Sequence, residues 1–518
     1  MKTQITTLKK LLFVALSSAV IYSCKDENWE PVNNYDAEIG TGENTNFDAI
    51  TDTYADVAGL PYINMWGYRN VHDPSVIKVG DTYYCYSTDV AFGVSVKPGI
   101  QVRKSKDLIN WTFEGWVFDG LPKKGVEYIT QNGGTPDNSL WAPYIMEVNG
   151  EYRLYYSLAS NKGRLSVTGL ATSSSPMGPW VEKDIVVTSK DDNSIGTNAI
   201  DPTVLVADGR HIMYYGSSWD GIYKLELDPA TGLAKNAGDR GTRIVQRGMT
   251  GGMRNGNLEG PEIIYNAEQK KYYLFLAYDW LQTKYNVRVA RSDSPDGPFL
   301  DYNGANVNNN IDSAPMIIAP YQFKGHSGWQ GVSHPGVFKG ENNQYYIAHQ
   351  GRPGVNSFYM DLHVRELYWM QDGWPVASPE RYAAVTQKEI KSADLAGTYE
   401  QIVLGYNVVP GYGKEQTSPD FQLSSETILS PNGTINNDPN NTWSFNAPYL
   451  TLSWGNGAFK DILYVKYGRD WENKVSSTIL FTGLNQFGTA IWAKKLNNEI
   501  ESIIKKNSST SIVFFLQC

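Results

Sequence analysis

Five short segments of the chain repeat the pattern x-x-Pro-x-apolar-apolar. They read HDPSVI from residue 72, WAPYIM from 141, IDPTVL from 200, EGPEII from 259 and SHPGVF from 333. Their prolines, at 74, 143, 202, 261 and 335, are 59 to 74 residues apart, and an aromatic segment such as TYYCYS or KYYLFLAY follows each of them. A regular spacing of this size predicts one supersecondary unit in each repeat.

The segments between the prolines predict antiparallel β-structure. They alternate polar and apolar residues, are punctuated by glycine, and contain no convincing run of helical period. Repeats of this length with several strands each are typical of propeller blades, which surround a central channel. We therefore predict an all-β protein in which residues 56–388 form a five-bladed β-propeller. The first strand of each blade lines the channel in that architecture, so the residues beside the five prolines should converge.

Carboxylates occupy some of these converging positions but not all of them. The five equivalent positions hold Asp73, Ala142, Asp201, Glu259 with Gly260, and His334, so the scaffold itself does not require an acid. Carboxylates that share a pocket repel one another and lose water, a cost that favours a catalytic role. Hydrolysis of a glycosidic bond uses two such groups, and a separation of about 6.5–9.5 Å admits a water and inverts the anomeric configuration. The residues alone leave open which acid is the base.

The order and spacing of HDPSVI, LWAPYI, IDPTV, EGPEII and YNVRVARSDSPDGPF resemble glycoside hydrolase family 43, and more closely its endo-α-1,5-L-arabinanases. The resemblance extends from about residue 62 to residue 379. It implies an inverting glycosidase that cleaves internal α-1,5-L-arabinofuranosidic bonds of arabinan. It also implies that Asp73 is the general base, Glu259 the general acid and Asp201 the residue that raises the pKa of Glu259. Glu262 receives no chemical role.

The same resemblance implies a metal ion and contacts to the sugar. A calcium ion near the catalytic centre would be held by His334 and water, with His326 as a less favoured substitute. For His334 the alternative is a hydrogen-bonding core residue. The implied substrate contacts are His72, Trp141 and Trp219, and core packing is the alternative for the two tryptophans.

The N-terminus predicts export and lipid attachment. Lysines precede an apolar stretch that is too short to span a bilayer permanently, so residues 1–23 are typical of a signal peptide. The signal ends at IYSC, which resembles a bacterial lipobox and implies acylation of Cys24. The KDE that follows resembles the export signal of surface lipoproteins in Bacteroidetes. We therefore predict an outer-membrane lipoprotein, exposed at the cell surface and tethered through residues 24–55.

Charge and cysteine content narrow the possible partners. The net charge of −9 argues against nucleic acid, because phosphate binding needs a basic surface. Aromatic residues, at 13%, could stack on sugars. The three cysteines do not suggest a disulfide framework, and no Cys/His cluster has the spacing of a zinc site. We expect a monomer whose partners are arabinan and the outer membrane that anchors it.

A second domain is predicted where the propeller pattern stops, after WPVASPERYA. Residues 389–496 contain short alternating segments separated by Gly and Asn turns, which suit a small β-barrel. This region resembles the lipocalin-like C-terminal domain of some arabinanases. It has no acid pair of its own, so packing or carbohydrate contact is its expected role. Residues 497–518 fit neither domain and form an unassigned tail.

Two alternatives to an endo-arabinanase stay open. A blocked pocket would give an exo-acting α-L-arabinofuranosidase or β-xylosidase of the same family, and we expect the insertion at 121–138 to decide between groove and pocket. Tyr144 stands where many relatives have Asp after WAP, which would change one wall of the cleft. A surface lipoprotein that binds glycan without cleaving it is the second alternative, and the presence of all three acids disfavours it.

Overall fold

Each of the first four repeats forms a four-stranded antiparallel sheet with its strands in chain order. The first sheet contains β1 (Ser75–Val79), β2 (Thr82–Ser87), β3 (Gln101–Ser105) and β4 (Thr112–Trp116). The second contains β5 (Trp141–Val148), β6 (Glu151–Leu158), β7 (Ser166–Ser173) and β8 (Val181–Ser189). The third contains β9 (Thr203–Ala207), β10 (Arg210–Tyr215), β11 (Ile222–Leu227) and β12 (Thr242–Val245). A short hairpin of β13 (Met249–Thr250) and β14 (Met253–Arg254) precedes the fourth sheet, which contains β15 (Leu258–Asn266), β16 (Lys271–Tyr278), β17 (Asn286–Ser292) and β18 (Met316–Ile318).

The fifth repeat lies within a larger, seven-stranded sheet. Its strands are β19 (Tyr321–Gln322), β20 (Trp329–Gln330), β21 (Gly336–Lys339), β22 (Tyr345–Pro353), β23 (Asp361–Trp369) and β24 (Pro375–Ala377), joined by one strand from the C-terminal domain. The strands from β21 to β24 pair in chain order, as in the other four sheets. Both β20 and β19 extend the sheet beyond β22.

The first strands of the repeats surround a common axis. In sequence, β1 contacts β5, β5 contacts β9, β9 contacts β15, and β15 contacts β21. The ring closes because β21 also contacts β1. The fold is therefore an all-β propeller, as predicted. Of the five predicted blades, four are separate four-stranded sheets and the fifth repeat belongs to the seven-stranded sheet.

The computed structural model describes residues 45–91, 96–190, 196–250, 253–254, 257–309, 315–405 and 417–497. The predicted signal peptide, Cys24, most of the tether and the tail beyond residue 497 lie outside these residues. Within the described part, no helix is long and apolar enough to cross a membrane. The helices there are α1 (Lys123–Gln131) and α2 (Ser392–Leu395), with 3-10 turns at Phe47–Ala49, Ala55–Val57, Leu60–Met65 and Glu341–Asn343. The helix α1 was not predicted from the sequence. It is a two-turn amphipathic helix that packs on the outer strands β7 and β8.

The C-terminal domain is a closed barrel. It contains β25 (Gly397–Val403), β27 (Ser425–Leu429), β28 (Thr434–Ile435), β29 (Asp438–Asn446), β30 (Tyr449–Trp454), β31 (Phe459–Asp470), β32 (Val475–Asn485) and β33 (Ala490–Lys495). Closure is made by β33, which pairs with both β32 and β25. One further strand, β26 (Gln422–Leu423), leaves the barrel and pairs in parallel with β19 of the propeller.

The two domains share one continuous hydrophobic core. The largest cluster of buried apolar residues runs from the last two propeller sheets into the barrel, where it includes Ile402 and Trp492. The guanidinium of Arg365, on β23, lies 5.0 Å from the indole ring of Trp492. The hydroxyl of Thr482 donates a hydrogen bond of 2.7 Å to the carbonyl of Ala377. Burial of this apolar surface fixes the barrel against the propeller.

A buried ion cluster lies beside this shared core. The ammonium of Lys494, fully buried on β33, donates to Glu380 at 3.0 Å, Asp470 at 2.6 Å and Glu472 at 2.7 Å. Its nitrogen also lies 3.9 Å from the ring centroid of Phe323 in the propeller segment. The positive charge of Lys494 thus offsets the negative charges of three carboxylates that are buried away from water.

Replacing this lysine should be costly. Lys494→Met keeps the apolar stem but leaves buried carboxylates without their cation, which should lower the free energy of unfolding by about 3–5 kcal/mol. Lys235→Met is the matched control, because Lys235 forms only an exposed pair with Glu226 and should change stability by about 0.5 kcal/mol or less. Urea unfolding midpoints of the two variants and the parent measure the difference. Equal midpoints for the two variants would contradict the importance of the cluster.

Candidate active site

The residue before each repeat proline has a left-handed backbone. Its φ is 51° at Asp73, 38° at Ala142, 58° at Asp201, 54° at Gly260 and 60° at His334. For a residue other than glycine this conformation costs about 1 kcal/mol, so its appearance in every repeat marks a constraint of the fold. The five positions are therefore structurally equivalent.

Glu259 lies one residue before the left-handed position of its repeat, so it is not strictly equivalent to Asp73 and Asp201. The position equivalent to Asp73 and Asp201 is Gly260, and Glu259 is equivalent to His72, Trp141, Ile200 and Ser333 in the other repeats. The pairing of β15 with β16 shifts register between Glu259 and Glu262, as the pairing of β5 with β6 does between Trp141 and Tyr144. The site therefore draws on two adjacent tiers of residues.

The two tiers line one cavity of about 490 Å³ at the start of the inner strands. All seven predicted catalytic, substrate-binding and metal-binding side chains lie on its wall. They are His72, Asp73, Trp141, Asp201, Trp219, Glu259 and His334. The size is within the range of small-molecule sites in proteins.

Asp73 is the most strongly held of the three acids. Its Oδ2 accepts a hydrogen bond of 2.6 Å from the Thr88 hydroxyl and lies 2.6 Å from Nδ1 of His72. Its Oδ1 lies 2.9 Å from Nδ1 of His334, and its backbone N–H donates to Gln350 at 3.1 Å. Burial raises the pKa of Asp73, but the charges of His334 and His72 outweigh it and hold the pKa well below the usual range. Asp73 is therefore an ionised carboxylate.

Glu259 is oriented by two hydroxyl groups. Ser217 donates to Oε2 and Tyr285 donates to Oε1, both at 2.7 Å. The Tyr285 oxygen also lies 3.5 Å from Nδ1 of His334, so it connects the acid to the histidine. These contacts fix both oxygens of the carboxyl group at the cavity wall.

Asp201 differs from Asp73 in its charge. Its Oδ2 accepts a hydrogen bond of 3.1 Å from the N–H of Gly260, and its own N–H donates to Ser157 at 3.1 Å. Burial, together with the negative charges of Glu259 and Asp73, raises the pKa of Asp201 to about 8 against the opposing effect of His334. Near neutral pH, Asp201 therefore retains a proton that an aspartate in water would have lost.

His334 lies among the three acids. Burial lowers its pKa, but the negative charge of Asp73 and the weaker effects of Asp201 and Glu259 raise it to about 9. Its ring packs directly against Gly260, where a Cβ would lie 3.0 Å from Nδ1. Only glycine therefore leaves room for the imidazole beside the strained backbone of β15.

Two indole rings border the cavity. Trp141 is half-buried, and its Nε1 donates to the Ser139 hydroxyl at 2.7 Å. Trp219 has φ of 53° in a turn after β10, and its ring lies 4.9 Å from the guanidinium of Arg164. Neither ring is part of the buried core, so the core-packing alternative does not apply to them.

Some residues that build the site could not be recognised from the sequence. Tyr285 and Ser217 hold Glu259, but Tyr285 only opens the YNVRVARSD motif and Ser217 lies in an ordinary turn. Asp89 lines the cavity and accepts hydrogen bonds from the N–H groups of Gly99 at 2.7 Å and Leu140 at 2.8 Å. It thereby ties the first sheet to the segment that carries Trp141.

Three further segments or residues considered from the sequence lie outside the cavity. The insertion at 121–138 forms α1 on the outer side of the second sheet, and none of its residues lines the cavity. Tyr144 donates to the carbonyl of Val204 between the second and third sheets, so it does not form a cleft wall. His326 lies 3.0 Å from Asp52 and stacks on Trp329, outside the cavity.

Glu262 is a buried, uncharged neighbour of the site. It lies on β15 below the cavity wall and is 7% exposed. Burial raises its pKa to about 8, against smaller opposing effects of Thr203 and His334. The carboxyl group is therefore protonated at neutral pH, which removes most of the cost of its burial.

Two family models cover most of the chain. Residues 68–375 match glycosyl hydrolases family 43, and residues 379–493 match the C-terminal lipocalin-like domain of that family. The chain belongs to glycosyl hydrolase family 43. The family predicted from the motifs is thereby confirmed, as is the lipocalin-like character of the barrel.

Relatives with known activities match across both domains. The chain is 29% identical to the extracellular endo-α-(1→5)-L-arabinanase 2 of Bacillus subtilis over 472 residues, which cover 82% of this chain and 93% of the relative. The crystal structure of the endo-1,5-α-L-arabinanase from Thermotoga petrophila RKU-1 superposes with a TM-score of 0.71 at 26% identity, over 83% of this chain and 99% of that one. An extracellular exo-α-(1→5)-L-arabinofuranosidase of Cellvibrio japonicus is 27% identical but matches only 62% of this chain and 90% of its own.

Proposed function

We propose that the protein is an endo-α-1,5-L-arabinanase that hydrolyses internal bonds of arabinan with inversion. The observation that carries the proposal is the convergence of Asp73, Asp201 and Glu259 on one cavity in a family 43 propeller. The relatives that match both domains and nearly their full length are endo-arabinanases. Relatives that match a smaller part of the chain include both an endo-arabinanase and an exo-enzyme, so it is the relatives matching both domains that favour an endo-enzyme.

The proposed base is Asp73. It is ionised, and Thr88, His72 and His334 hold both of its oxygens in place. An oriented carboxylate that stays charged can take a proton from an attacking water. The three contacts also prevent the group from rotating away when substrate displaces solvent.

The proposed acid is Glu259, assisted by Asp201. Ser217 and Tyr285 aim the Glu259 carboxyl group into the cavity, where it can protonate the leaving sugar oxygen. Burial and the negative charge of Glu259 raise the pKa of Asp201 to about 8, so a proton is held close to the proposed acid near neutral pH. A glycan-binding protein without catalysis would have no use for this arrangement.

We also propose that a calcium ion occupies the position beside His334. The residues fit a cation, because one imidazole nitrogen faces Asp73 while three acids surround the ring with negative charge. Water would supply most ligands, since calcium prefers oxygen and needs six to eight of them. When bound, the ion would add a fixed positive charge near the reacting sugar. His334, whose pKa is about 9 without the ion, would release its proton to hold the ion as the neutral imidazole, so binding would weaken as the pH falls.

We interpret the propeller as five-bladed, with strands β21–β24 as the fifth blade. The ring of inner strands supports this count, since β21 contacts both β15 and β1. We further propose that the protein is a monomer, anchored as a surface lipoprotein through Cys24. The lipobox-like IYSC and the following KDE support the anchor.

Product analysis tests the enzymatic proposal. With linear arabinan, we expect mixed oligosaccharides early in the reaction, while a chromogenic arabinofuranoside stays intact. Early release of single sugars would mean exo-action, and binding of arabinan without cleavage would mean a capture protein. Chromatography of products over time distinguishes these results.

The chain offers a matched control for the same assay. Glu259→Gln and Asp73→Asn should each lower kcat by at least about 100-fold, because each removes a proton-transfer group. Glu262→Gln should keep kcat within about threefold of the parent, because an amide replaces a carboxyl group that is already neutral. Parental rates in Glu259→Gln or Asp73→Asn would remove that residue from its role.

Chelation tests the calcium proposal. Treatment with EDTA should lower the thermal unfolding temperature, and added calcium should restore it, because a ligand of the native state stabilises it. His334→Ala should abolish the response to both reagents. A parent protein whose unfolding temperature and activity ignore chelator and calcium alike would contradict the proposal.

Acylation is tested in cells that produce the full chain. The parent should incorporate labelled palmitate and sediment with the outer membrane, where external protease can reach it. Cys24→Ala should lose the label and appear in the soluble fraction, since one cysteine carries the anchor. A parent that is soluble and unlabelled would contradict the anchor but leave the enzymatic proposal intact.

A further inference from the structure

A second cavity, of about 360 Å³, opens at one end of the C-terminal barrel. It lies where β25, β30 and β32 end and where β31 and β33 begin. None of its lining residues is shared with the catalytic cavity. The barrel therefore has a concave surface that the proposed reaction does not use.

Two phenylalanines stand at the mouth of this cavity. Phe459 and Phe487 are 52% and 54% exposed, and their ring centroids are 6.1 Å apart with a tilt of 50°. Exposing two neighbouring aromatic rings to water is unfavourable. Contiguous apolar surface of this kind is typical of ligand-binding grooves. The faces of aromatic rings carry negative charge and attract the polarised C–H bonds of a sugar.

Polar groups lie within reach of the two rings. Asn485, Gln486 and Lys460 line the same cavity, and Asp461 accepts a hydrogen bond of 2.6 Å from the Trp454 indole. Amides and a carboxylate beside aromatic faces are the combination that pairs with sugar hydroxyls while the rings cover the C–H face. The single lysine and single aspartate of the lining balance each other, which suits a neutral ligand.

One buried polar atom in the lining lacks a partner. The Oε1 atom of Gln401, a residue that is 7% exposed, accepts no hydrogen bond from the described residues. Burying an amide oxygen in this way is costly unless a donor completes it. A ligand hydroxyl, directly or through a water, would supply that donor.

The cavity is held in a fixed place relative to the propeller. Its rim includes the β32–β33 turn, in which Gly488 lies against the ring of Tyr302 from the fourth repeat. A Cβ at Gly488 would come within 2.5 Å of that ring, so the turn and the propeller are in direct contact. A chain bound at the barrel would therefore be kept close to the catalytic domain.

We propose that this barrel cavity is a second binding site for arabinan, separate from the catalytic cavity. The inference rests on the proposed function for the identity of the polymer. The two phenylalanine rings stack on arabinofuranosyl residues, and the polar lining pairs with their hydroxyl groups. Occupation of this site retains the enzyme on its polymer between cleavage events.

Affinity electrophoresis in gels that contain linear arabinan tests the site. The parent for this experiment carries Glu259→Gln, so that it does not digest the gel. The double substitution Phe459→Ala with Phe487→Ala should weaken the apparent affinity for arabinan by about fivefold or more, as expected when aromatic anchors are removed. Mobility in polymer-free gel corrects for any change in charge or shape.

Two controls make the result specific. Tyr265→Ala removes a ring that is 43% exposed on β15 of the propeller, and should leave the affinity unchanged. With the catalytic acids intact, the double variant should cleave short α-1,5-linked arabino-oligosaccharides at the parental rate. Melting curves of the double variant check its fold, and Phe459→Tyr, which keeps the aromatic face, should retain affinity.

The possible results distinguish failure of the barrel site from failure of the enzymatic proposal. Equal retardation of the parent and the double variant would overturn the barrel site, and an equal loss in Tyr265→Ala would overturn it as unspecific stacking. If the protein with intact acids cleaves arabinan in either case, the enzymatic proposal stands without the barrel site. If it neither binds nor cleaves arabinan, both proposals fail.

Discussion

The left-handed residue before each repeat proline is the constraint on which the rest of the structure depends. Proline favours an extended conformation at the preceding residue, yet the chain takes the left-handed conformation there as it enters each inner strand. The conformation is unfavourable for Asp, Ala and His, so the packed ring of inner strands must stabilise it. In return, Asp73, Asp201 and His334 at this position line the cavity, whereas Ala142 and Gly260 do not. The scaffold supplies the geometry, and the residue at each position supplies the chemistry.

The electrostatics of the site follow from this convergence. Three acids and one histidine share a volume in which water screens poorly, so each charge alters its neighbours. Asp73 stays ionised because two imidazoles face it, whereas Asp201 faces other acids and takes up a proton. Side chains of the same type thus acquire different charges from their position alone. Tyr285 joins Glu259 to His334, and His334 contacts Asp73, so these four side chains form one connected unit.

The sequence predicted the parts of the fold and site that repeat. The propeller, the barrel and the convergence of Asp73, Asp201, Glu259 and His334 follow from periodic motifs, because equivalent positions meet at the axis. Contacts that occur in only one repeat could not be predicted from the periodic motifs. Tyr285 and Ser217 reach Glu259 from other strands, and nothing in their local sequence indicates this. The helix α1 was missed because two turns provide too little periodicity, and with it the location of the 121–138 insertion.

The closing strand of the barrel has a consequence for how the protein is made. Trp492 and Lys494 lie on β33, near the end of the described chain, yet they complete both the shared core and the buried ion cluster. During synthesis the chain emerges from its N-terminus, so most of the propeller appears before the strand that completes its contacts. The apolar face of the last blade must then stay soluble until β33 arrives. Synthesis therefore produces a propeller whose final stabilisation waits for the last strand of the neighbouring barrel.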